Sequence, residues 1–295
     1  MMGGTGPAIS VCADPAENRV LLATAARLAV NLGLPLLTKP MKRGQQVLLV
    51  VTAQRLEPRI VGGEAALRGG RPISCDFARL DTTSDAGRSL RQPLARAVGV
   101  RKRTDPRPTI IDATAGYGED AWLLASFGCP VLAVERHRVV AALLRDGILR
   151  MGAIQPQILR RLHTIHCDSL PLLRGMLGRQ PRDQDLLLRA FLNPDVISLD
   201  PMFSGARKAA ERKPLRVLRW LVGGDDDADQ LFHVALSVAR RRVGVKRPVK
   251  AEPLPGREPS TTHAGRSIRY DVYVRPSGGQ AGKPQRKRSS GIGHR

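Results

Sequence analysis

The sequence has few cysteines and no long apolar run, and each shortage excludes a class of protein. Its four cysteines stand singly at positions 12, 75, 129 and 167, without a Cys-x-x-Cys pair. This spacing argues against a structural zinc site or a disulfide framework and suits a reducing compartment. No run of about 18 apolar residues is present, so we expect no membrane span. The N-terminus lacks the basic and apolar regions of a signal peptide, and we therefore predict a cytoplasmic protein.

Aromatic and acidic side chains are also scarce. Aromatic residues make up 3% of the chain against 42% apolar residues, so its core must consist mainly of Leu, Val, Ile and Ala. The 48 Lys and Arg residues outnumber the 26 Asp and Glu residues, which gives a formal net charge of +22 over 295 residues. A positive excess of this size indicates a polyanionic partner, most commonly a nucleic acid.

The segment TIIDATAGYGED, residues 109–120, organises the rest of the chain. Its β-branched residues predict a buried strand that ends at Asp112, and Gly116 and Gly118 predict a tight turn before a helix over 121–128. A glycine turn between a parallel strand and a helix N-terminus is typical of nucleotide and cofactor pockets. The spacing Asp-x-x-x-Gly-x-Gly differs from the Gly-x-Gly-x-x-Gly of dinucleotide folds, which argues against a dehydrogenase.

Strand-like and helix-like segments alternate beyond residue 81, which predicts a doubly wound, Rossmann-like parallel α/β sheet with a final strand pair as an edge hairpin. We expect three parts: a small α/β domain over 1–80, a catalytic domain over 81–275 and a disordered basic tail over 276–295. The expected strands of the catalytic domain are 109–111, 130–135, 162–166, 195–199, 242–246 and 267–274, and its main helices are 121–128, 138–151, 170–177, 213–222 and 228–239. In the first part we expect a helix over 16–33 and strands over 8–12, 34–38, 45–53, 55–62 and 72–77.

Acidic side chains are predicted at two further strand ends. Glu135 follows Asp112 by 23 residues, the position at which nucleotide folds place a carboxylate for ribose hydroxyls. Asp168 and Ser169 end the third strand, where they fit either the adenine edge of a cofactor or the N-cap of the next helix. His163 and His166 lie on the same strand, but their spacing points them to opposite faces, so we predict no metal site.

The segment Asp200-Pro201-Met202-Phe203 ends the fourth strand and carries the predicted chemistry. It is similar to the Asp/Asn-Pro-Pro-Tyr/Phe signature of methyltransferases that act on exocyclic amino groups of bases. A carboxylate at Asp200 accepts a hydrogen bond from the target amino group and directs the nitrogen lone pair toward a methyl donor. Phe203 is placed to stack on a base extruded from its helix. We therefore predict Asp200, Pro201 and Phe203 as catalytic residues.

These motifs in this order resemble the RsmJ family, bacterial methyltransferases that act on guanine N2 in 16S ribosomal RNA. The resemblance is carried by residues 112–129, 134–148, 199–203, 243–248 and 269–274. It implies a class I methyltransferase fold, S-adenosylmethionine as cofactor and 16S rRNA or the small ribosomal subunit as partner. Together with the glycine turn, it indicates a cofactor site formed by Asp112, Gly116, Gly118, Glu119, Asp120, Glu135, Arg136, Asp168, Ser169 and Asp200.

Basic residues near the expected rim of the active site predict the RNA contacts. This set comprises Lys208, Arg212, Lys213, Lys246 and Arg247. Two alternatives stay open at the level of the residues. The first is an amino-methyltransferase with another target, either a different base or a protein Gln amide. The second is a non-catalytic RNA-binding assembly factor that has kept the fold.

Overall fold

The structure is a computed structural model that describes most of the chain. The described residues are 8–38, 46–62, 74–177, 186–201, 217, 221, 226–252, 254 and 257–275. The predicted helix over 213–222 falls almost entirely outside them, as does the predicted tail over 276–295.

A three-stranded sheet forms at the N-terminal end. Its strands are β1 (Ala8–Ala13), β2 (Gln46–Val51) and β3 (Leu56–Val61), and helix α1 (Arg19–Leu32) connects the first two. Strand β2 lies in the centre, parallel to β1 and antiparallel to β3, and all six of its residues are buried. The α1 helix begins at the Asn18 side-chain cap and ends at Gly33, whose φ of 58° is left-handed.

The main sheet has seven strands, and they meet in an order that differs from their order in sequence. Its strands are β4 (Ile110–Asp112), β5 (Val131–Glu135), β6 (Leu162–His166), β7 (Val196–Leu199), β8 (Arg242–Pro248), β9 (Thr261–Ala264) and β10 (Ile268–Val274). The order across the sheet is β6-β5-β4-β7-β8-β10-β9, with the first five parallel and β10 antiparallel to both neighbours. Compared with the Rossmann order 3-2-1-4-5-6, the last strand is inserted beside the fifth.

Helices cover both faces of this sheet, as the continuous burial of its central strands β4, β5 and β7 requires. They are α2 (Pro93–Ala97), α3 (Glu119–Ser126), α4 (Arg138–Gly152), α5 (Pro156–Leu159), α6 (Ser169–Met176), α7 (Leu186–Ala190) and α8 (Ala228–Val238). Ile110 belongs to the apolar cluster that packs against α3 and α4, whereas its neighbour Ile111 belongs to the cluster that packs against α6 and α8. The prediction of a doubly wound α/β fold is confirmed.

Three predicted details of the strands are wrong. Residues 74–76 form no strand and lead into a 3₁₀ helix, Phe77–Arg79, whose start is capped by the Asp76 side chain as it accepts the Ala78 amide. Residues 34–38 make only a single bridge, from Leu36 to Val11. Strand β9 was not predicted, and it rather than β10 forms the sheet edge, so the final predicted strand pair does not lie at the edge.

The N-terminal segment packs against the main sheet through specific contacts. The rings of Phe77 and Trp122 stack with centroids 4.7 Å apart. The Arg150 guanidinium donates to the Cys75 carbonyl oxygen at 2.6 Å, and the Arg138 guanidinium donates to the Leu32 carbonyl oxygen at 2.5 Å. A domain boundary at residue 80 stays a prediction. Among the described helices, none combines the length and the apolar character that a membrane span requires.

Candidate active site

The carboxyl ends of four neighbouring parallel strands bring the predicted polar residues to one edge of the sheet. Asp112 ends β4, Glu135 ends β5, Asp200 directly follows β7, and Lys246 lies near the end of β8. Open α/β sheets bind their ligands at the carboxyl ends of their strands. The site lies where the chain stops adding strands on one side of the first strand and begins to add them on its other side. Here that point lies between β4 and β7.

The glycine turn after β4 has the left-handed backbone that its residues allow. Gly116 has φ of 54° and Gly118 has φ of 76°, and Gly118 is the N-cap of α3. A Cβ atom at position 118 would also collide with Cδ1 of Leu144. The Gly116 amide donates to Oε2 of Glu135 at 2.8 Å, so the turn lies directly over the end of β5. Only glycine satisfies both the backbone angle and the close packing at 118.

Glu135 is buried and holds two backbone amides. Besides Gly116, the amide of His137 donates to its Oε1 at 2.7 Å, and 6% of the residue surface is exposed. Each carboxylate oxygen has two lone pairs, so the group retains capacity to accept from hydroxyl donors. Nearby, the Tyr117 hydroxyl and the His137 Nδ1 atom are buried and have no hydrogen-bond partner among the described residues.

A lysine joins two of the predicted acids. The Lys246 ammonium lies 3.1 Å from Oδ2 of Asp120 and 3.1 Å from Oδ2 of Asp200. The Tyr270 hydroxyl donates to Asp120 at 3.0 Å. The Asp200 backbone amide donates to Oγ1 of Thr114 at 2.6 Å, which ties the end of β7 to the start of the glycine turn. About half of the Asp200 side chain is exposed, so the carboxylate faces the open side of the cluster.

Among the described residues, this cluster contains three carboxyl groups and one ammonium group. The excess of acids adds to the effect of burial on the pKa of Asp112. Burial, followed by the charge of Asp120, raises the pKa of Asp112 to about 8, and Asp200 adds to the rise. Burial acts to lower the pKa of Lys246, but Asp120 and Asp200 outweigh it and raise that pKa well above its usual value. Lys246 therefore stays charged while Asp112 is protonated at neutral pH.

The other predicted cofactor residues lie along the same edge with partners of their own. Asp168 caps α6 by accepting the Leu170 amide at 2.9 Å, and the Ser169 hydroxyl donates to the Ala113 carbonyl oxygen at 2.5 Å. The Arg136 guanidinium pairs with Asp227 at 3.0 Å. Glu119 points outward, with 55% of its side chain exposed, and pairs with Arg79 at 3.4 Å. Pro201 is buried at the end of the described segment.

The residues predicted to contact RNA differ in their placement. Lys246 is held between two carboxylates, and Arg247 is buried and donates to the Glu252 carbonyl oxygen. Lys208, Arg212 and Lys213 lie outside the described residues, as does Phe203.

Sequence reasoning missed Thr114 and Tyr270, and it did not predict that Lys246 pairs with Asp120 and Asp200. A threonine inside the glycine turn carried a usable signal, because its hydroxyl can bind a neighbouring backbone amide. Tyr270 reaches Asp120 only through the antiparallel insertion of β10, which no local pattern reveals. Among the described residues, no three His, Cys, Asp or Glu side chains are placed to hold a metal.

The strand order, the left-handed glycine turn and the acids at the carboxyl edge define a class I S-adenosylmethionine-dependent methyltransferase. A family model described as "Putative SAM-dependent methyltransferase" matches residues 34–275. The crystal structure of a SAM-dependent methyltransferase from Neisseria gonorrhoeae superposes with a TM-score of 0.63 at 28% identity, covering 92% of this chain and 97% of that one.

Curated relatives narrow the class further. Ribosomal RNA small subunit methyltransferase J of Thioalkalivibrio sulfidiphilus is 41% identical over 256 residues, which is 85% of this chain and 92% of the relative. The protein of the same name from Coxiella burnetii is 40% identical over 258 residues, 86% of this chain and 92% of its own. The chain belongs to the ribosomal RNA small subunit methyltransferase J family.

Proposed function

We propose that this protein transfers a methyl group from S-adenosylmethionine to the exocyclic N2 of a guanine in 16S ribosomal RNA, in the cytoplasm. The observation that carries the proposal is Asp200, a half-exposed carboxylate fixed at the carboxyl edge beside the glycine turn. The rRNA substrate comes from the named relatives, and the guanine N2 position from the family resemblance.

The residues at the sheet edge suit this cofactor. Bound S-adenosylmethionine supplies an activated methyl group on a sulfonium. Glu135 is the acceptor for its ribose hydroxyls, and the buried Tyr117 hydroxyl and His137 Nδ1 are polar atoms without a partner among the described residues. A positively charged ligand is favoured beside the carboxylates of Asp120 and Asp200, which lie on either side of the Lys246 ammonium. Asp168 and Ser169 complete the proposed cofactor rim.

Asp200 is the proposed catalytic residue for the amino group. Its carboxylate accepts an N–H of the guanine amine, which turns the nitrogen lone pair away from the carboxylate and toward the methyl donor. The nitrogen gains the new C–N bond as the bond between the methyl carbon and the sulfonium sulfur breaks, which leaves a neutral thioether. The nitrogen is then cationic and loses a proton to the carboxylate or to water. The reaction requires alignment more than a strong base, so positioning and electrostatics supply most of the rate. Pro201 and Phe203 are proposed to hold the target base.

Lys246 acts on the reaction through Asp200. Because its ammonium lies 3.1 Å from the Asp200 carboxylate, it keeps that group ionised and fixes its direction. We therefore propose Lys246 as a positioning residue, and Arg247 as a support for the loop at Glu252. Lys208, Arg212 and Lys213 remain the proposed RNA contacts near the target base.

The test is methylation of 16S rRNA purified from cells that lack this gene, with labelled S-adenosylmethionine and mass mapping of the product. We expect one N2-methylguanine, with activity lost by about 100-fold or more in Asp200→Asn. The matched control is Asp229→Asn, an exposed acid on α8, which keeps full activity. Cofactor binding by Asp200→Asn, measured by calorimetry, separates a chemical defect from an unfolded site.

Two results would contradict the proposal. Methylation of adenine N6, of cytosine N4 or of a protein Gln amide would keep the chemistry and change the substrate. Full activity in Asp200→Asn would remove the proposed catalytic role of this carboxylate.

A further inference from the structure

An arginine-lined cavity lies beside edge strand β9, away from the cluster around Asp200. Its volume is about 440 Å³, and it is lined by Leu90, Arg91, Arg96, Arg101, Thr261 and His263. A second cavity of about 410 Å³ shares Leu90, Arg91 and Arg101 with it and adds Arg88 and Arg103. The two cavities form one continuous groove, which we call the arginine groove.

The positive charge in this groove is not neutralised by neighbouring acids. Arg91, Arg96 and Arg101 are exposed, and their guanidinium groups have no carboxylate partner in the part of the chain that the structure describes. Among the described residues that line the first cavity, none is an acid. In the second, Asp85 is 94% exposed and pairs with Arg88 at 3.4 Å. Three like charges held together without counter-charges favour a bound anion.

A buried imidazole in the groove points to the same class of ligand. His263 is 7% exposed, and its Nε2 atom is buried without a hydrogen-bond partner among the described residues. Burial, followed by the charges of Arg96, Arg101 and Arg242, lowers the pKa of His263. The ring therefore stays neutral and offers a single N–H.

The sheet register connects the groove to the active site. Lys246 pairs directly with Tyr270, and Tyr270 pairs directly with His263. Directly opposed residues of antiparallel strands share a face, so all three side chains lie on the same face of the sheet. Two strand spacings separate the backbone of His263 from that of Lys246, which is about 10 Å. A polymer that enters the active site is thus close to the groove.

We propose that the arginine groove binds phosphodiester groups of the substrate RNA, at nucleotides next to the methylated guanine. Arg91, Arg96 and Arg101 contact the phosphate oxygens, and the His263 ring lines the groove beside them. This inference rests on the proposed function for the identity of the RNA, but the site itself is defined by chemistry that binds any phosphodiester chain.

The first experiment measures how RNA affinity depends on salt in the full-length protein. A fluorescein-labelled single-stranded RNA is titrated with the wild type, the double variant Arg96→Gln/Arg101→Gln and the control Arg145→Gln. Arg145 is an exposed arginine on α4, so its variant matches the chemical change outside the groove. Each phosphate contact contributes about 0.7 to the slope of log K against log salt for single strands. We expect the double variant to lower the slope by about 1.4 and the control to leave it unchanged.

The second experiment follows the ring signals of His263 by NMR, assigned with His263→Gln. We expect the same RNA to shift these signals at concentrations at which inorganic phosphate does not. Three results would overturn the proposal: equal salt slopes in the double variant and the wild type, RNA binding that leaves His263 unshifted, or shifts caused by inorganic phosphate alone. The proposed function is judged separately by rRNA methylation. If the wild type methylates rRNA but its salt slope equals that of the double variant, only the proposal for the arginine groove is refuted. If the salt slopes differ and the His263 signals shift but no rRNA is methylated, only the proposed function is refuted.

Discussion

Removing the buried carboxyl of Asp112 should change how the stability of the protein depends on pH. The pKa of Asp112 rises from 3.8 to about 8 in the folded protein, because burial and the neighbouring charges of Asp120 and Asp200 disfavour its ionised form. Between these values the unfolded chain releases a proton that the folded protein keeps. The stabilisation that accompanies the protonated form is therefore present at acidic pH and is lost as pH rises toward 8.

The size of this effect follows from the linkage between proton binding and folding. One proton bound only in the folded state lowers the free energy of unfolding by about 1.4 kcal/mol for each pH unit. When the pH rises from 5 to 7, the wild type should therefore lose about 3 kcal/mol of its free energy of unfolding through Asp112. The Asp112→Asn variant should not show this loss, because an amide does not titrate. Subtracting the two proteins cancels the contributions of the ionisable groups that do not interact with Asp112.

Urea unfolding of the wild type and Asp112→Asn at pH 5, 6 and 7 measures this difference directly. Asp85→Asn, an exposed carboxyl on a loop, is the control, and it should leave the pH dependence unchanged. If the curves for the wild type and Asp112→Asn stay parallel over this range, Asp112 is ionised in the folded protein. That result would refute the conclusion that burial and the charges of Asp120 and Asp200 raise the pKa of Asp112 more than Lys246 lowers it.

Two further substitutions test the glycine turn and the lysine of the site. In Gly118→Ala the alanine must adopt a left-handed φ of 76° and its Cβ collides with Leu144. We therefore expect this variant to lose about 2 kcal/mol of stability and most of its cofactor affinity. A variant with the melting temperature and the calorimetric cofactor affinity of the wild type would contradict this expectation. Lys246→Met should lower kcat by about 100-fold with little change in KM. When the pH is lowered, the variant should lose its activity at a higher pH than the wild type, because Asp200 no longer has the neighbouring positive charge that favours its ionised form. Lys246→Arg should restore much of the rate, and equal pH profiles for the three proteins would remove the positioning role.

Local patterns were sufficient to predict the main elements of the fold. The buried strands β4, β5 and β7 read as short β-branched or apolar runs between breakers, and α4 shows clear helical spacing. The same patterns failed where alternating burial and strand structure do not coincide. Cys75 and Phe77 are both buried in a segment that is not a strand, whereas β9 has the sequence TTHA with only its histidine buried. An edge strand buries one face lightly, so its sequence carries little apolar signal.

The predicted acids at strand ends did meet at one edge, because parallel strands direct their carboxyl ends to the same side. Asp112, Glu135 and Asp200 follow from this rule and from the positions of three strands. The partners of these acids do not follow from it. Tyr270 reaches Asp120 from a strand that arrives antiparallel from the far end of the chain, and this contact spans 150 residues of sequence. Such pairs depend on sheet order, which local patterns leave undetermined.

The basic residues show most clearly why charge in a sequence does not identify a binding surface. Lys246 follows a strand at the active-site rim, and a net charge of +22 favours assigning it to RNA. The structure encloses it between two carboxylates, so its charge is already balanced within the protein. Arg96 and Arg101 carry no recognisable motif, yet they lie without acidic partners around a buried histidine in the described part of the chain. A cation contributes to RNA affinity only when no internal carboxylate neutralises it, and by that criterion the arginine groove is the stronger candidate of the two.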